Sequence, residues 1–560
     1  MVGYLPLALA AFVRATPLVT GNGYGFAVVL ETAPVVSKWY ARPNRFERPD
    51  PKDALGEGLE TEQYLESLAW AEPAVSTPSY VNDSQVIAAD DVRVYMPFEA
   101  DGNVLVVTQA APGRLCAKWK GLVRSEGLKF FFERSAVTAV PLDDAGRYKD
   151  GCFIGSSGWA FTAGATRWAV EKKELKALEE WRVKPPKLKS DEERHLWRQS
   201  ETLLRMAQDR RTGFIAASLP PGEWFMVWLR DMLYATDALG RMGHKAEAQA
   251  ALRALYNAQP VGRLSALARG APYQMSAVRY FADGTEQPYF TQEGAENLEL
   301  DGWGLSLLML ARHGDDALLK EPTYRGTIYR SARDYVAKAL LANLDPFGGE
   351  DGLIVAADSG IWEDRQSDKK HFAFTTAAAI AGLETFEPIA RRNGDKKFAD
   401  ELSWTVAKLK RGFAAAFMKG GFLRGALEGG ARNEIDGQTL AAIALGAVKN
   451  TAVASATVAK MDALKTSSGG YLRVRSAETD LKKFEYWYER QEFVFTDLAM
   501  PRQLERITAL AAKDHYFVPE MYVSVENPLF VGPVGAPTGS IPMVGYGAGA
   551  VVNSFLDRDH

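Results

Sequence analysis

The chain has 560 residues and sets 66 Lys and Arg against 70 Asp and Glu, a formal net charge of −4. That excludes the basic surplus of a nucleic-acid binder, and 47% hydrophobic with 24% charged residues excludes a disordered chain. The length exceeds one ordinary core, so two domains, or one large helical domain with an accessory unit, are expected.

The first residues, MVGYLPLALAAFVRATP, are apolar but lack a basic segment ahead of the apolar run, so a signal peptide is not expected. No apolar run reaches the roughly 20 residues that span a bilayer. From about Tyr24 to Val170 the pattern is period two and rich in turns. Val92, Val94, Met96 and Phe98 alternate, Asp101-Gly102 supplies a hairpin turn, and Val104 to Val107 begin the returning strand. Further strands are expected at 25–30, 128–133, 152–155 and 166–170, which together describe an antiparallel β-sandwich. Cys116 and Cys152 are too few for a disulfide framework; one bridge is possible, and two reduced thiols in a cytosolic protein are the expectation.

Pro185-Pro186 breaks a charged segment, and the period then changes to that of a helix. Leu196, Leu203, Leu204 and Ala207 share one face, and helical spacing returns near 228–241, 244–258, 299–313, 323–342, 371–393, 395–417, 436–447, 451–463, 490–512 and 541–556. Short turns alternate with long loops such as 259–295 and 344–370, the mark of stacked α-hairpins closing into a ring whose long loops gather at one end. The boundaries that follow are a sandwich over 1–175, a linker over 176–195 and a helical domain over 196–560. Function is expected where the long loops meet.

Those loops concentrate acids, arginine and aromatics. Trp224-Phe225-Met226-Val227-Trp228-Leu229-Arg230-Asp231 places an Arg-Asp pair behind two tryptophans at a helix start, suited to gripping sugar hydroxyls beside an aromatic wall. Glu299-Leu300-Asp301-Gly302-Trp303 repeats the combination of acid and tryptophan. Ser359-Gly360-Ile361-Trp362-Glu363-Asp364 sets an acid pair against an apolar wall. The wall and the neighbouring Asp364 both disfavour the charged form of Glu363, which is what a general acid needs. Gly470-Tyr471-Leu472-Arg473 precedes Glu485-Tyr486-Trp487-Tyr488-Glu489, and Glu520 stands in Val518-Pro519-Glu520-Met521. Taken singly each has an ordinary explanation: a dipole-favoured Asp231, a helix cap at Asp301, a surface Arg473, a structural Glu520. Gly155-Ser156-Ser157-Gly158 lacks the spacing of a nucleophile elbow, and Thr20-Gly21-Asn22-Gly23 precedes a strand instead of following one. The six histidines form no zinc motif, so neither a metal nor a cofactor is expected.

In order, these segments resemble glycoside hydrolase family 15, the glucoamylase and glucodextranase family, in its bacterial form with an N-terminal β-sandwich. Trp228-Leu229-Arg230-Asp231 resembles the family's Trp-x-Arg-Asp, Leu300-Asp301-Gly302-Trp303-Gly304 its Gln-x-Asp-x-Tyr-Gly with Glu299 in the glutamine's place, and Gly360-Ile361-Trp362-Glu363 its Gly-x-Trp-Glu. The resemblance implies an (α/α)6 six-hairpin barrel and exo-acting, inverting hydrolysis releasing β-glucose from the non-reducing end of α-glucans or oligosaccharides. It implies Glu363 as general acid and Glu520 as general base. Arg230, Asp231, Trp228, Asp301, Trp303, Trp362 and Arg473 would bind substrate, with Asp364 behind the acid. The Pro-Glu-Met-Tyr setting of Glu520 departs from the family pattern. A transglucosylase on the same scaffold and a non-catalytic glucan-binding protein are the alternatives. A cytoplasmic location is expected, with export the alternative. Oligomeric state is left open, and Trp159 and Trp168 would be the aromatic platform were the sandwich a sugar-binding module.

Overall fold

The structure is a computed structural model describing residues 16–40, 63–72, 74, 76–133, 135–143, 146–222, 224, 226–260, 269–281, 284, 286–287, 297–349, 351–363, 368–476, 479, 482, 488–526 and 532–558. Period-two alternation in the first third becomes two antiparallel sheets, seven-stranded and eight-stranded among the described residues. They face each other over one core. Val29, Trp39 and Leu65 enter it from the first sheet, and Leu105, Val107, Trp159 and Phe161 from the second. The expected hairpin is present, with Val94 opposite Val107.

The strand expected over 166–170 is corrected: Thr166 and Arg167 lie in a loop and donate backbone N–H groups to Asp101 Oδ1 at 2.9 and 3.0 Å. The strand is instead Gly158–Ala163, central between Asn103–Thr108 and Ala136–Pro141 and buried on both faces. Such a strand has no polar face to produce alternation. Trp159, fully buried here, cannot serve as a sugar platform, and Trp168 is half-buried against a small satellite core. The expectation of two free thiols is also corrected. Cys116 and Cys152 are direct partners on neighbouring strands, their Cα atoms 4.0 Å apart, and form a disulfide; a separation of 36 residues conceals that adjacency in the sequence.

The joint between the two halves is itself helical. α1 (Glu171–Trp181) overlaps the expected linker and buries Glu174, which accepts from Gln85 Nε2 (2.6 Å), Phe98 N (2.7 Å) and Glu99 N (3.1 Å). Three donors offset the cost of burying that carboxylate and fasten the sandwich to the helix.

The helices that follow are α2 (Asp191–Ala207), α3 (Leu229–Met242), α4 (Lys245–Asn257), α5 (Asp301–His313), α6 (328–342), α7 (Ala373–Arg392), α8 (Lys396–Phe417), α9 (Gln438–Ala444), α10 (Thr451–Lys460), α11 (Val494–Leu498), α12 (Gln503–Ala511) and α13 (544–557). Among the described residues, α3, α5, α7, α9, α11 and α13 form an inner ring, with α4, α6, α8, α10, α12 and α2 outside it. This is the (α/α)6 barrel. Its sixth hairpin joins α13 to α2, from opposite ends of the domain. The residue patterns explain the two rings. Asp301–Leu310 of α5 and Ala373–Leu383 of α7 are buried all round, whereas α8 buries one stripe containing Phe398, Leu402, Leu409 and Phe413. The helix expected over 490–512 is broken in two at Pro501, with Arg502 left-handed at φ 69°.

α5 and α7 approach so closely that a Cβ on Gly382 would lie 2.1 Å from Gly304 O. Gly382→Ala is therefore expected to cost about 1–3 kcal/mol, the range for overpacking, read as a lower midpoint in urea unfolding. Among the described residues no helix is long and apolar enough to cross a membrane.

Candidate active site

Short strand pairs at one end of the barrel, absent from the sequence reading, hold the site. Val227–Trp228 pairs with Arg279–Tyr280 and runs directly into α3, which puts Trp228, Arg230 and Asp231 at the helix start. Met521–Tyr522 pairs with Glu492–Phe493 on one side and Pro537–Thr538 on the other, and Glu520 is the residue just before it.

Glu363 and Glu520 are each held by an indole from one short segment. Trp228 Nε1 donates to Glu363 Oε1 at 2.9 Å, and Trp224 Nε1 donates to Glu520 Oε2 at 2.8 Å. The two indole rings meet edge to face, 5.6 Å apart. Glu520 also accepts from Ser540 N at 3.2 Å and from the Tyr488 hydroxyl. All these donors present hydrogens to a carboxylate acting as acceptor. Glu363 is differently placed. Its backbone is left-handed, φ 52°, a conformation that costs a non-glycine residue of order 1–3 kcal/mol and concentrates at functional positions. Burial holds its carboxyl above the ordinary range, against the opposing pull of Arg230 and Arg279 and of hydrogen bonds from Trp228 and Asn297.

Asp364, the neighbour expected to raise the Glu363 carboxyl, lies outside the described residues. Asn297 Nδ2 donates to both Glu363 Oε2 and Glu299 Oε1, each at 2.8 Å, joining two carboxyls through one amide. Glu299 is pushed well above its ordinary range by burial and by the charge of Glu363, so the two titrate as a pair.

Arg230 is buried and committed within the protein: Nε to Asp301 Oδ2 (2.6 Å), Nη2 to Asp301 Oδ1 (3.0 Å) and Glu299 Oε2 (2.6 Å), and Nη1 to Ile361 O (2.9 Å). The geometry makes it a brace between α3, the start of α5 and the Gly360–Ile361 segment. Asp231 accepts from Tyr546 N at 3.3 Å, and burial pushes its carboxyl up to about 7. The glycine run of α13 permits this, since a Cβ on Gly545 would lie 2.2 Å from Asp231 O. Asp301 is fully buried beneath Arg230. Trp303 is fully buried as well, stacked on Tyr273 and donating to Met275 O at 3.2 Å, so it supports the floor from behind and offers no face to a ligand.

Trp362, largely buried, donates to Asp436 Oδ1 at 2.7 Å and meets Phe493 edge-on at 5.1 Å. Arg473 Nη1 donates to Trp362 O at 3.2 Å, and its guanidinium lies 4.2 Å from the centre of the Tyr488 ring. It thereby links the segment before Glu363 to the tyrosine that holds Glu520. Asp358 ties the floor together, accepting from Leu300 N, Gly360 N and Thr375 Oγ1.

The structure thus brings Glu363, Glu520, Trp228, Arg230, Asp231, Asp301, Trp362 and Arg473 to one end of the barrel. Sequence reasoning missed Asn297, Arg279, Asp358, Asp436 and Ser540, which carry no motif. Trp224 and Tyr488 stood in aromatic runs already singled out and were the recoverable ones.

The model of glycosyl hydrolases family 15 matches residues 191–527. Among solved structures, a bacterial glucoamylase complexed with acarbose superposes with a TM-score of 0.58 at 12% identity, covering 97% of this chain and 94% of that one. A wild-type glycosidase gives 0.47 at 20% identity over 66% of this chain and 98% of its own. Glucoamylase from Saccharomycopsis fibuligera gives 0.47 at 13% over 66% and 96%. No curated protein matches this chain.

Proposed function

The chain belongs to glycosyl hydrolases family 15 and is a glycoside hydrolase; from that premise we propose that it cleaves α-glucosidic bonds from the non-reducing end with inversion, releasing β-glucose. The observation that carries the reading is the unequal treatment of two carboxyls at one end of the barrel. Glu363 is half-buried, and its desolvation holds it toward its protonated form, while Glu520, buried, accepts from Trp224, Tyr488 and Ser540. A proton donor and an acceptor carboxylate are what an inverting glycosidase needs, set about 6.5–9.5 Å apart to admit a water.

In this reading Glu363 protonates the leaving oxygen as the glycosidic bond breaks, and Glu520 takes the proton of the water that attacks the opposite face of the sugar. Asp231, with its raised pKa, grips a hydroxyl of the terminal glucose. Trp228 and Trp362 supply apolar edges beside the ring. The substrate class is an α-glucan or α-gluco-oligosaccharide, and acarbose, bound by the structurally similar bacterial glucoamylase, is the inhibitor to try.

The test is proton NMR of maltose, isomaltose, trehalose and malto-oligosaccharides during hydrolysis. β-Glucose appearing first supports the proposal and identifies the linkage. α-Glucose first would overturn inversion, and no glucose from any of the four would overturn the substrate class.

A further inference from the structure

The segment leading into Glu520 has an unusual backbone. His515 and Tyr516 are consecutive non-glycine residues in the left-handed region, φ 53° and 59°. L-residues avoid this conformation unless their surroundings impose it. Within the barrel, α12 ends at Ala511 and the chain turns back through Asp514, with Tyr516 N bonded to Ala511 O at 2.8 Å and Phe517 N to Asp514 O at 2.8 Å. The side chains of the turn face the sandwich.

There the contacts come from elements far away in sequence. Tyr80 is held in place by a double link to Val19, its hydroxyl donating to the carbonyl at 2.7 Å and accepting from the N–H at 2.9 Å. Its ring meets Phe517 at 5.7 Å and His515 at 6.3 Å, both edge to face. Asp83 engages His195 Nδ1 at 2.9 Å, and the imidazole stacks on Tyr516 with ring centres 5.2 Å apart. Phe517 is fully buried. Val518, next along, accepts from Met543 N at 2.9 Å, and Glu520 N donates to Ser540 O at 3.0 Å. The chain from the sandwich contact to the carboxylate is thus only three residues long and fixed at each end.

We infer that the N-terminal sandwich is part of the catalytic apparatus: through Tyr80 and the Asp83–His195 pair it clamps the left-handed turn at 515–516 and so sets the position of Glu520. Tyr80 is a positioning residue acting through the backbone. The inference rests on the reading of Glu520 as the base. It gives the sandwich a task in the reaction that needs no sugar-binding surface of its own.

The test compares Tyr80→Leu, Tyr80→Phe and Glu363→Gln on two substrates, the glucoside cleaved by the wild type and α-glucosyl fluoride. Fluoride leaves without a proton, so damage on the acid side is relieved with the fluoride and damage on the base side is not. Tyr80→Leu is expected to lower kcat about tenfold on both substrates with KM within twofold, while Tyr80→Phe, which keeps the ring contacts, retains most activity. A folded Tyr80→Leu with unchanged kcat, a loss confined to KM, or a loss relieved by the fluoride would each overturn the clamp. Should Tyr80→Leu fail to fold, Asp83→Asn must show a smaller loss with the same signature, and an unchanged kcat there overturns the inference. Full activity of Glu520→Gln would instead overturn the reading of the base, a separate failure.

Discussion

Glu363→Gln is expected to lower kcat on a natural glucoside by about 10³-fold while sparing α-glucosyl fluoride, the largest effect of any single substitution in the site. General acid catalysis contributes about 10²–10⁴-fold, and the upper part of that range suits a leaving sugar alkoxide, which departs poorly unprotonated. The amide has one oxygen where Trp228 Nε1 and Asn297 Nδ2 each donate to a separate carboxyl oxygen, so one of the two bonds is expected to be lost with the proton donor. The barrier rises by about 4 kcal/mol at ~1.36 kcal/mol per decade. Paired kcat measurements on the two substrates check it. Equal loss on both would move the acid role elsewhere in the site.

Glu520→Gln is the second, with an expected loss of about 10²–10³-fold in kcat on the glucoside and on the fluoride alike. Water must be deprotonated whatever the leaving group, so a better one does not help. The amide also offers N–H where Trp224, Tyr488 and Ser540 all present hydrogens to the carboxylate, so some loss of order at the loop is expected with it. The alkaline fall of the wild-type pH profile is expected to belong to the paired Glu363 and Glu299 rather than to either alone, and to persist in the Glu520 variant.

Much of the architecture was legible because two periods announce it. Alternation around Val92 to Val107 and helical spacing after Pro186 separate a sandwich from a ring of hairpins, and the loops that carry Trp228, Trp362 and Glu363 were recognisable from acids set beside tryptophan. The illegible parts share a physical cause: they depend on proximity between distant segments. Gly158–Ala163 is a strand whose burial on both faces erases its period, and the Cys116–Cys152 bond depends on which strands are neighbours. Asn297 matters only because an α5 approach and an acid loop 66 residues apart converge on its amide. Trp303, which the family resemblance placed against the substrate, is turned into the core by helix phase and is fully buried, as a tryptophan at a capped helix start ordinarily is.

The closure of the ring has a consequence for how this protein comes into being. α13 completes the inner ring against α3 and pairs with α2, and Arg558 Nη1 reaches Glu193 Oε1 at 2.6 Å across 365 residues of chain. During synthesis five hairpins emerge before their closing partner exists, with the apolar flanks of α2 and α3 uncovered until the last barrel helix leaves the ribosome. Contacts of such sequence separation are slow to form and leave aggregation-prone surfaces open meanwhile. The last described strand of the sandwich ends at residue 163, so the sandwich can fold long before and offers the nascent α2 a finished surface on which to rest.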